Sequence, residues 1–244
     1  MHEWRNLPMK LYKAVIFDLD NTLLNYDRCE LDSMQRAIRH HRIFERDGFV
    51  WEAFWKTFLE RNAFYWEQRF TQKLSHLEAI EFALRDAFEI MGTPMSAADV
   101  TSTYWEFFCN TCHFEKGALE TLRWAHRNYK LGILSNGIGE AQHRRLKSGD
   151  IDHYFDAVIV SDEVGYWKPD PKIFHVALEK LNLRHDEVLF VGDSLRDDYV
   201  GALNSGVDFC YYNRNGQKLE DDVRPTYMIK ELSELVVQLK SQIM

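Results

Sequence analysis

The stretch Ala14-Val15-Ile16-Phe17-Asp18-Leu19-Asp20-Asn21-Thr22 joins a short apolar run to two acids and then to turn-forming residues. In the run Lys13–Phe17 the residues from Ala14 on are apolar at consecutive positions, the pattern of a strand covered on both faces. Side chains two apart on an extended chain point the same way, so Asp18 and Asp20 can approach one ligand. Paired carboxylates beside a divalent cation can supply a nucleophile and a proton-transfer group together. A dense set of oxygen donors is also what Mg²⁺ prefers. Taken alone, the same residues serve equally well as a turn in which Asp and Asn bond the backbone.

Working outward, four more apolar runs follow: Lys130–Leu134, Ala157–Val160, Val188–Val191 and Phe209–Tyr212. Helical patterns separate the runs, such as Gly117–Asn128 just before the second run and Pro171–Asn182 and Asp197–Ser205 further on. This alternation predicts an α/β fold with a doubly wound parallel sheet and right-handed crossovers. The first gap differs. Between Tyr26 and Phe114 no strand pattern occurs, while Trp51, Phe54, Trp55 and Phe58 recur at helical spacing, as do Leu77, Ile80, Leu84, Phe88 and Met91 with small slips. The expectation is an all-helical insertion after the first strand, with a core of residues 1–25 and 115–244 and a cap of residues 26–114, a candidate lid. Open parallel sheets bind ligands at the carboxyl ends of their strands, so those ends are where chemistry should lie.

The second run ends in Ser135-Asn136-Gly137. A hydroxyl followed by Asn-Gly at the mouth of a helix suits phosphate oxygens, though a plain capped turn reads the same way. After the third run, Lys168 sits in Trp167-Lys168-Pro169-Asp170-Pro171. Facing inward it would neutralise a carboxylate and a phosphoryl group; facing outward it is an ordinary surface lysine. The fourth run ends in Gly192-Asp193-Ser194-Leu195-Arg196-Asp197-Asp198. Carboxylates crowded this way repel unless a cation or Lys168 lies among them.

With these four motifs in order, each after a strand, the chain resembles the haloacid dehalogenase superfamily. The insertion looks like that family's type 1 helical cap, over a Rossmann-like core. The resemblance implies a Mg²⁺-dependent phosphomonoesterase in which Asp18 forms an aspartyl-phosphate and Asp20 moves protons. It implies further that Thr22, Ser135, Asn136, Gly137 and Lys168 serve the phosphoryl group, and that Asp18, Asp20 (by its carbonyl) and Asp193 hold the metal. Asp198 would act in the outer shell or on Lys168, with Asp197 ranked after it. The family's dehalogenases lack an acid at the position of Asp20, which favours phosphate chemistry. Ser135-Asn136-Gly137, Gln142, Arg145-Leu146, Tyr154-Phe155-Asp156 and Ser161 to Gly165 are most similar to the bacterial pyrimidine 5′-nucleotidases. Nucleoside monophosphates are therefore the expected substrates, with the cap choosing among them. A sugar phosphatase or phosphoglycolate phosphatase is the alternative, and a phosphomutase or a non-catalytic binding module stands behind it.

The bulk numbers fit. The chain has 244 residues, 45% hydrophobic and 28% charged, with a formal net charge of -8. That is ordinary globular composition, and a net negative chain is a poor binder of nucleic-acid polymers. No apolar run nears the roughly 18 residues of a membrane span, so a cytoplasmic protein acting on a small phosphorylated metabolite is expected, with four cysteines as thiols. Met9 is an alternative start, with Met1–Pro8 as a loose leader. Cys109-Asn110-Thr111-Cys112-His113 spells a haem-attachment pattern, read here as plain cysteines near the cap's end. Phe64, Tyr65, Trp66 and Phe70 are candidates to line a lid, and the basic residues of Gln142–Lys147 read as a solvated helix face.

Overall fold

The computed structural model describes residues 11–243; the Met9 and Met1–Pro8 readings, and the side chain of Phe70, lie outside what is described. The described strands are β1 Ala14–Phe17, β2 Lys130–Ser135, β3 Ala157–Val160, β4 Val188–Gly192, β5 Asp208–Tyr212 and β6 Tyr227–Ile229. They form one sheet in the order β3-β2-β1-β4-β5-β6, and every neighbouring pair is parallel. β6 was not expected: it has three residues, too few for any periodicity to show.

The helices, in chain order, are α1 Tyr26–His40, α2 Trp51–Gln72, α3 His76–Ile90, α4 Ala97–Cys109, α5 Ala118–His126, α6 Gly139–Ser148, α7 Ser161–Val164, α8 Pro171–Leu181, α9 Val200–Ser205 and α10 Leu232–Ile243. All four residues of β1 are buried, and alternation sorts them by face. Val15 and Phe17 join Leu122 of α5 and Leu235 of α10 in one apolar layer. Ala14 and Ile16 join Phe174 of α8 and Ala202 of α9 in the other. Each fully buried Leu, Ile or Phe contributes about 1.5–3 kcal/mol. A one-residue slip of β1 would exchange both layers, so burial on two faces specifies the register.

The chain divides into two compact units, one running to Tyr26 and resuming at Cys112, the other spanning Asp27–Thr111. The sequence reading had carried the insertion on to Phe114. In the structure the crossing segments pair within the first unit: Asn25 N–H donates to His113 O at 2.8 Å and Glu115 N–H to Leu23 O at 2.9 Å. The second unit is helical, and α3 begins with a capping box in which Ser75 and Glu78 satisfy each other's backbone N–H. Within it Phe54 and Phe58 are fully buried, with Phe54 stacked on Phe88 at 5.4 Å. Of the candidate lid aromatics, Phe64 is exposed, Tyr65 gives its hydroxyl to Asp86 at 2.8 Å, and Trp66 lies against Arg69. Among the described residues no helix is long and apolar enough to cross a membrane.

Candidate active site

Strand order 3-2-1-4-5-6 puts the topological switch between β1 and β4, where ligand crevices form. Phe17 is in register with Val191, and Asp18 N–H continues the ladder to Val191 O at 2.8 Å. The acids that follow the two strands are thereby neighbours. Oxygens of Asp18, Asp193 and Asp198 all lie within 4.8 Å of one another.

Lys168 stands among them. Its Nζ is 2.6 Å from Asp18 Oδ1 and 2.7 Å from Asp198 Oδ1, with both partners buried. Burial alone would lower the lysine, but Asp18 and then Asp198 outweigh it and push its pKa up. The main chain of Lys168 is clamped by Asn136, whose Nδ2 donates to Lys168 O at 2.9 Å and whose Oδ1 accepts from Lys168 N–H at 2.8 Å. The phosphoryl group is expected on the Asn136 backbone, and the Asn136 side chain is engaged separately in anchoring the lysine loop.

The two acids of the opening stretch go to different partners. Asn21 takes a left-handed conformation, φ 60°, which Asn tolerates in a tight turn, and the chain folds back so that Asn21 N–H reaches Leu24 O. Asp18 faces Lys168, whereas Asp20 turns its carboxylate to α6. Arg145 Nη1 donates to Asp20 Oδ1 at 2.6 Å, and Gln142 Nε2 donates to Asp20 Oδ2 at 2.7 Å. The expectation of a solvated face over Gln142–Lys147 holds for Lys147, which is exposed, and is corrected for Arg145. Arg145 and Gln142 are buried, because they sit three apart on the face of α6 that meets an anion. Their spacing directly after Ser135-Asn136-Gly137 was the available signal.

Ser135 is buried and accepts from the same Gln142 Nε2 at 2.9 Å. A cavity of about 140 Å³ opens over Asp18, Asp20, Ser135, Asn136, Lys168 and Asp193. That is well above the roughly 10–15 Å³ of such space that one water needs, so a phosphoryl group and a cation can both enter. Thr22, expected among the phosphate-holding residues, is wholly buried. It donates to Asp18 Oδ2 at 3.2 Å, which places it behind the acid rather than on the cavity. Gly137 accepts from Ser161 Oγ, and a Cβ on it would collide with the Gln142 amide. Gly192 is needed for the same reason, since a Cβ there would strike the Asp198 carboxylate. Asp198 is buried and accepts from Ser194 N–H at 3.0 Å, in a wide π turn over Leu195–Tyr199 of the kind found at functional sites. Asp197 also borders the cavity but pairs with exposed Arg196. Of the two adjacent acids, Asp198 is the one joined to Lys168.

Burial pushes Asp18 well above the usual carboxylate range, with Lys168 pulling down and Asp198 and Asp193 pushing up. Asp193 is pushed up to about 7, first by burial and then by Asp198, against Lys168 and Arg214. The protein's own cations therefore under-compensate this cluster. Crowded hard oxygen donors short of positive charge are a donor set that fits a divalent cation.

The sequence pattern of the haloacid dehalogenase-like hydrolases matches residues 12–206. The chain belongs to that family. Pyrimidine 5′-nucleotidase YjjG of Escherichia coli is 37% identical over 120 residues, a match spanning 49% of this chain and 53% of the relative. Pyrimidine 5′-nucleotidase PynA of Streptococcus pneumoniae is 24% identical over 235 residues, 96% of this chain and 97% of the relative. Among solved structures, the putative HAD-hydrolase YfnB of Bacillus subtilis bound to magnesium superposes with a TM-score of 0.80 at 23% identity, covering 94% of this chain and 99% of that one. The last likeness shows the fold. With these relatives and this family, the chain is a phosphatase of the haloacid dehalogenase type.

Proposed function

We propose that this hydrolase cleaves phosphate monoesters through an aspartyl-phosphate on Asp18, with Mg²⁺ as its cation and pyrimidine nucleoside 5′-monophosphates as its substrates. One observation carries the mechanism: a lysine-bridged carboxylate cluster beside a second acid that is held apart from it by its own partners. The nucleotide assignment is supported by the nucleotidase relatives, and choice of substrate is assigned to the helical unit.

In the first step Asp18 Oδ attacks phosphorus in line and the ester P–O bond breaks. Asp20 gives a proton to the departing oxygen, which leaves as an alcohol. In the second step Asp20 takes a proton from a water as that water attacks phosphorus, releasing phosphate and restoring the Asp18 carboxylate. Lys168 and the Ser135 hydroxyl face the phosphoryl oxygens, where developing charge needs fixed donors. Asp18 and Asp193, with the Asp20 carbonyl, would hold the cation, and Asp198 would keep Lys168 in place. When bound, the cation compensates negative charge on the carboxylates and the transferring group.

The test is phosphate release from a panel of nucleoside monophosphates, sugar phosphates and phosphoglycolate, with Mg²⁺ and with chelator. Release from pyrimidine nucleotides at the highest kcat/KM, lost on chelation, is expected. Preference for a sugar phosphate would move the substrate assignment, and full activity in chelator would remove the cation.

A second measurement reads the cation without turnover. A carboxyl raised in the folded state stabilises the fold while protonated; for Asp193 that contribution is complete below about pH 4 and is lost as pH rises through about 7. A divalent cation competes with the proton for the same oxygens, so its stabilising effect grows with pH. Mg²⁺ is expected to raise the melting temperature more at about pH 8 than at about pH 5. An equal rise at both would place the cation elsewhere.

A further inference from the structure

Arg145 is fully buried on α6, yet it carries a charge that no protein environment removes. A buried cation is tolerated where an anion meets it, and the structure supplies Asp20, three-quarters buried, at 2.6 Å. Such a charge-assisted bond is short and directional. Arg145 Nη1 also donates to Gln142 Oε1 at 3.0 Å. That orients the Gln142 amide, so that its Nε2 faces both Asp20 Oδ2 at 2.7 Å and Ser135 Oγ at 2.9 Å. Both oxygens of Asp20 are thus held from one helix face, and the same amide ties them to the serine that faces the phosphoryl group. Gly137 keeps open the space that the Gln142 side chain fills.

We propose that Arg145 and Gln142 are positioning residues for proton transfer, holding the Asp20 carboxyl at a set distance from the phosphoryl group that Ser135 receives. Neither residue reaches the reacting atoms; Arg145 acts through Asp20, and Gln142 through Asp20 and the Ser135 hydroxyl. The inference rests on the assignment of Asp20 as the group that protonates the leaving oxygen. A carboxyl on a two-bond side chain has several rotamers, and only those aimed at the ester oxygen shorten the proton's path. Fixing one before substrate arrives removes that search from the reaction. The demand for it depends on the ester. An alkyl alcohol leaves badly without a proton, whereas a nitrophenol leaves well as its anion.

The experiment compares the Mg²⁺-loaded enzyme with Arg145→Met, Arg145→Lys, Gln142→Met and Asp20→Asn on an alkyl phosphate and on p-nitrophenyl phosphate, reading the first step alone as the pre-steady-state burst of alcohol or nitrophenol, because the water step that follows is common to both esters. Positioned acids contribute about 10²–10⁴-fold. Arg145→Met and Gln142→Met are each expected to slow the alkyl ester by about 10²-fold while slowing the nitrophenyl ester by less than about tenfold. Arg145→Lys should recover part of the alkyl rate. Placed in the Asp20→Asn background, Arg145→Met should cost little more, because residues acting through one group are not additive.

Equal losses on both esters, or an undiminished loss in the Asp20→Asn background, would mean that the pair only supports the fold. That result overturns the proposal while leaving Asp20 in its role. If Asp20→Asn itself slows both esters alike, the proton-transfer assignment falls and takes the inference with it. Should Arg145→Met fail to fold, Gln142→Met and Arg145→Lys carry the same comparison.

Discussion

Asp18→Asn is expected to lower phosphate release by about a million-fold, the scale seen when an enzyme loses its nucleophile, with no loss of folding stability in the absence of divalent cation. The two halves of that result have separate causes. The amide keeps the shape of the side chain but offers no anionic oxygen to phosphorus, so the covalent step has no route. Stability is spared because Asp18 is a burdened group in the free protein. Burial, Asp198 and Asp193 all oppose its ionisation, with Lys168 pulling the other way. A neutral amide relieves that opposition and leaves the Lys168–Asp198 pair, at 2.7 Å, in place. Phosphate release and a melt in chelator measure both halves. Wild-type turnover in this variant would end the assignment of Asp18 as nucleophile.

Lys168→Met is expected to reduce turnover by about 10²–10³-fold and to destabilise the metal-free protein by about 3–5 kcal/mol. The lysine pairs with both Asp18 and Asp198 in a group of three acids whose oxygens lie within 4.8 Å. Removing it leaves buried carboxylates facing one another, a cost that grows in a low dielectric. Lys168 Nζ also lies 5.4 Å from the Phe190 ring centroid, so part of its site is apolar and methionine can fill it. Mg²⁺ should restore part of the stability by replacing missing positive charge. It should not restore the rate, because the transferring phosphoryl group still lacks its ammonium donor. Thermal melts with Mg²⁺ and with chelator, beside the phosphate assay, separate the two effects. A variant that turns over normally would show that the Lys168–Asp18 pair is structural.

Much of this protein was legible along the chain. Each of the longer strands announced itself as a consecutive apolar run, because a strand covered on both faces has no polar side to interrupt it. That Asp18, Ser135, Lys168 and Asp193 would gather around one cavity was legible, because ligand crevices in a parallel sheet lie just past strand ends, a position that local pattern marks. The helical insertion showed through its aromatic spacing. What failed to show was short or non-local. β6 has too few residues to display a period, and the insertion's end at Thr111 rather than Phe114 depends on pairing across the chain.

The larger correction is Arg145. Charge on a helix face reads as exposure, and that reading holds until an anion arrives from elsewhere in the chain. Asp20 arrives from 125 residues away and Asp18 reaches Lys168 across 150. Sequence by itself determined which chemical groups stand at which strand ends, since hydrophobic period and turn chemistry are properties of neighbours. Only the tertiary structure decided that Asp18 belongs to Lys168 and Asp20 to Arg145. Those pairings follow from the order in which the strands lie side by side, and no local period encodes that order.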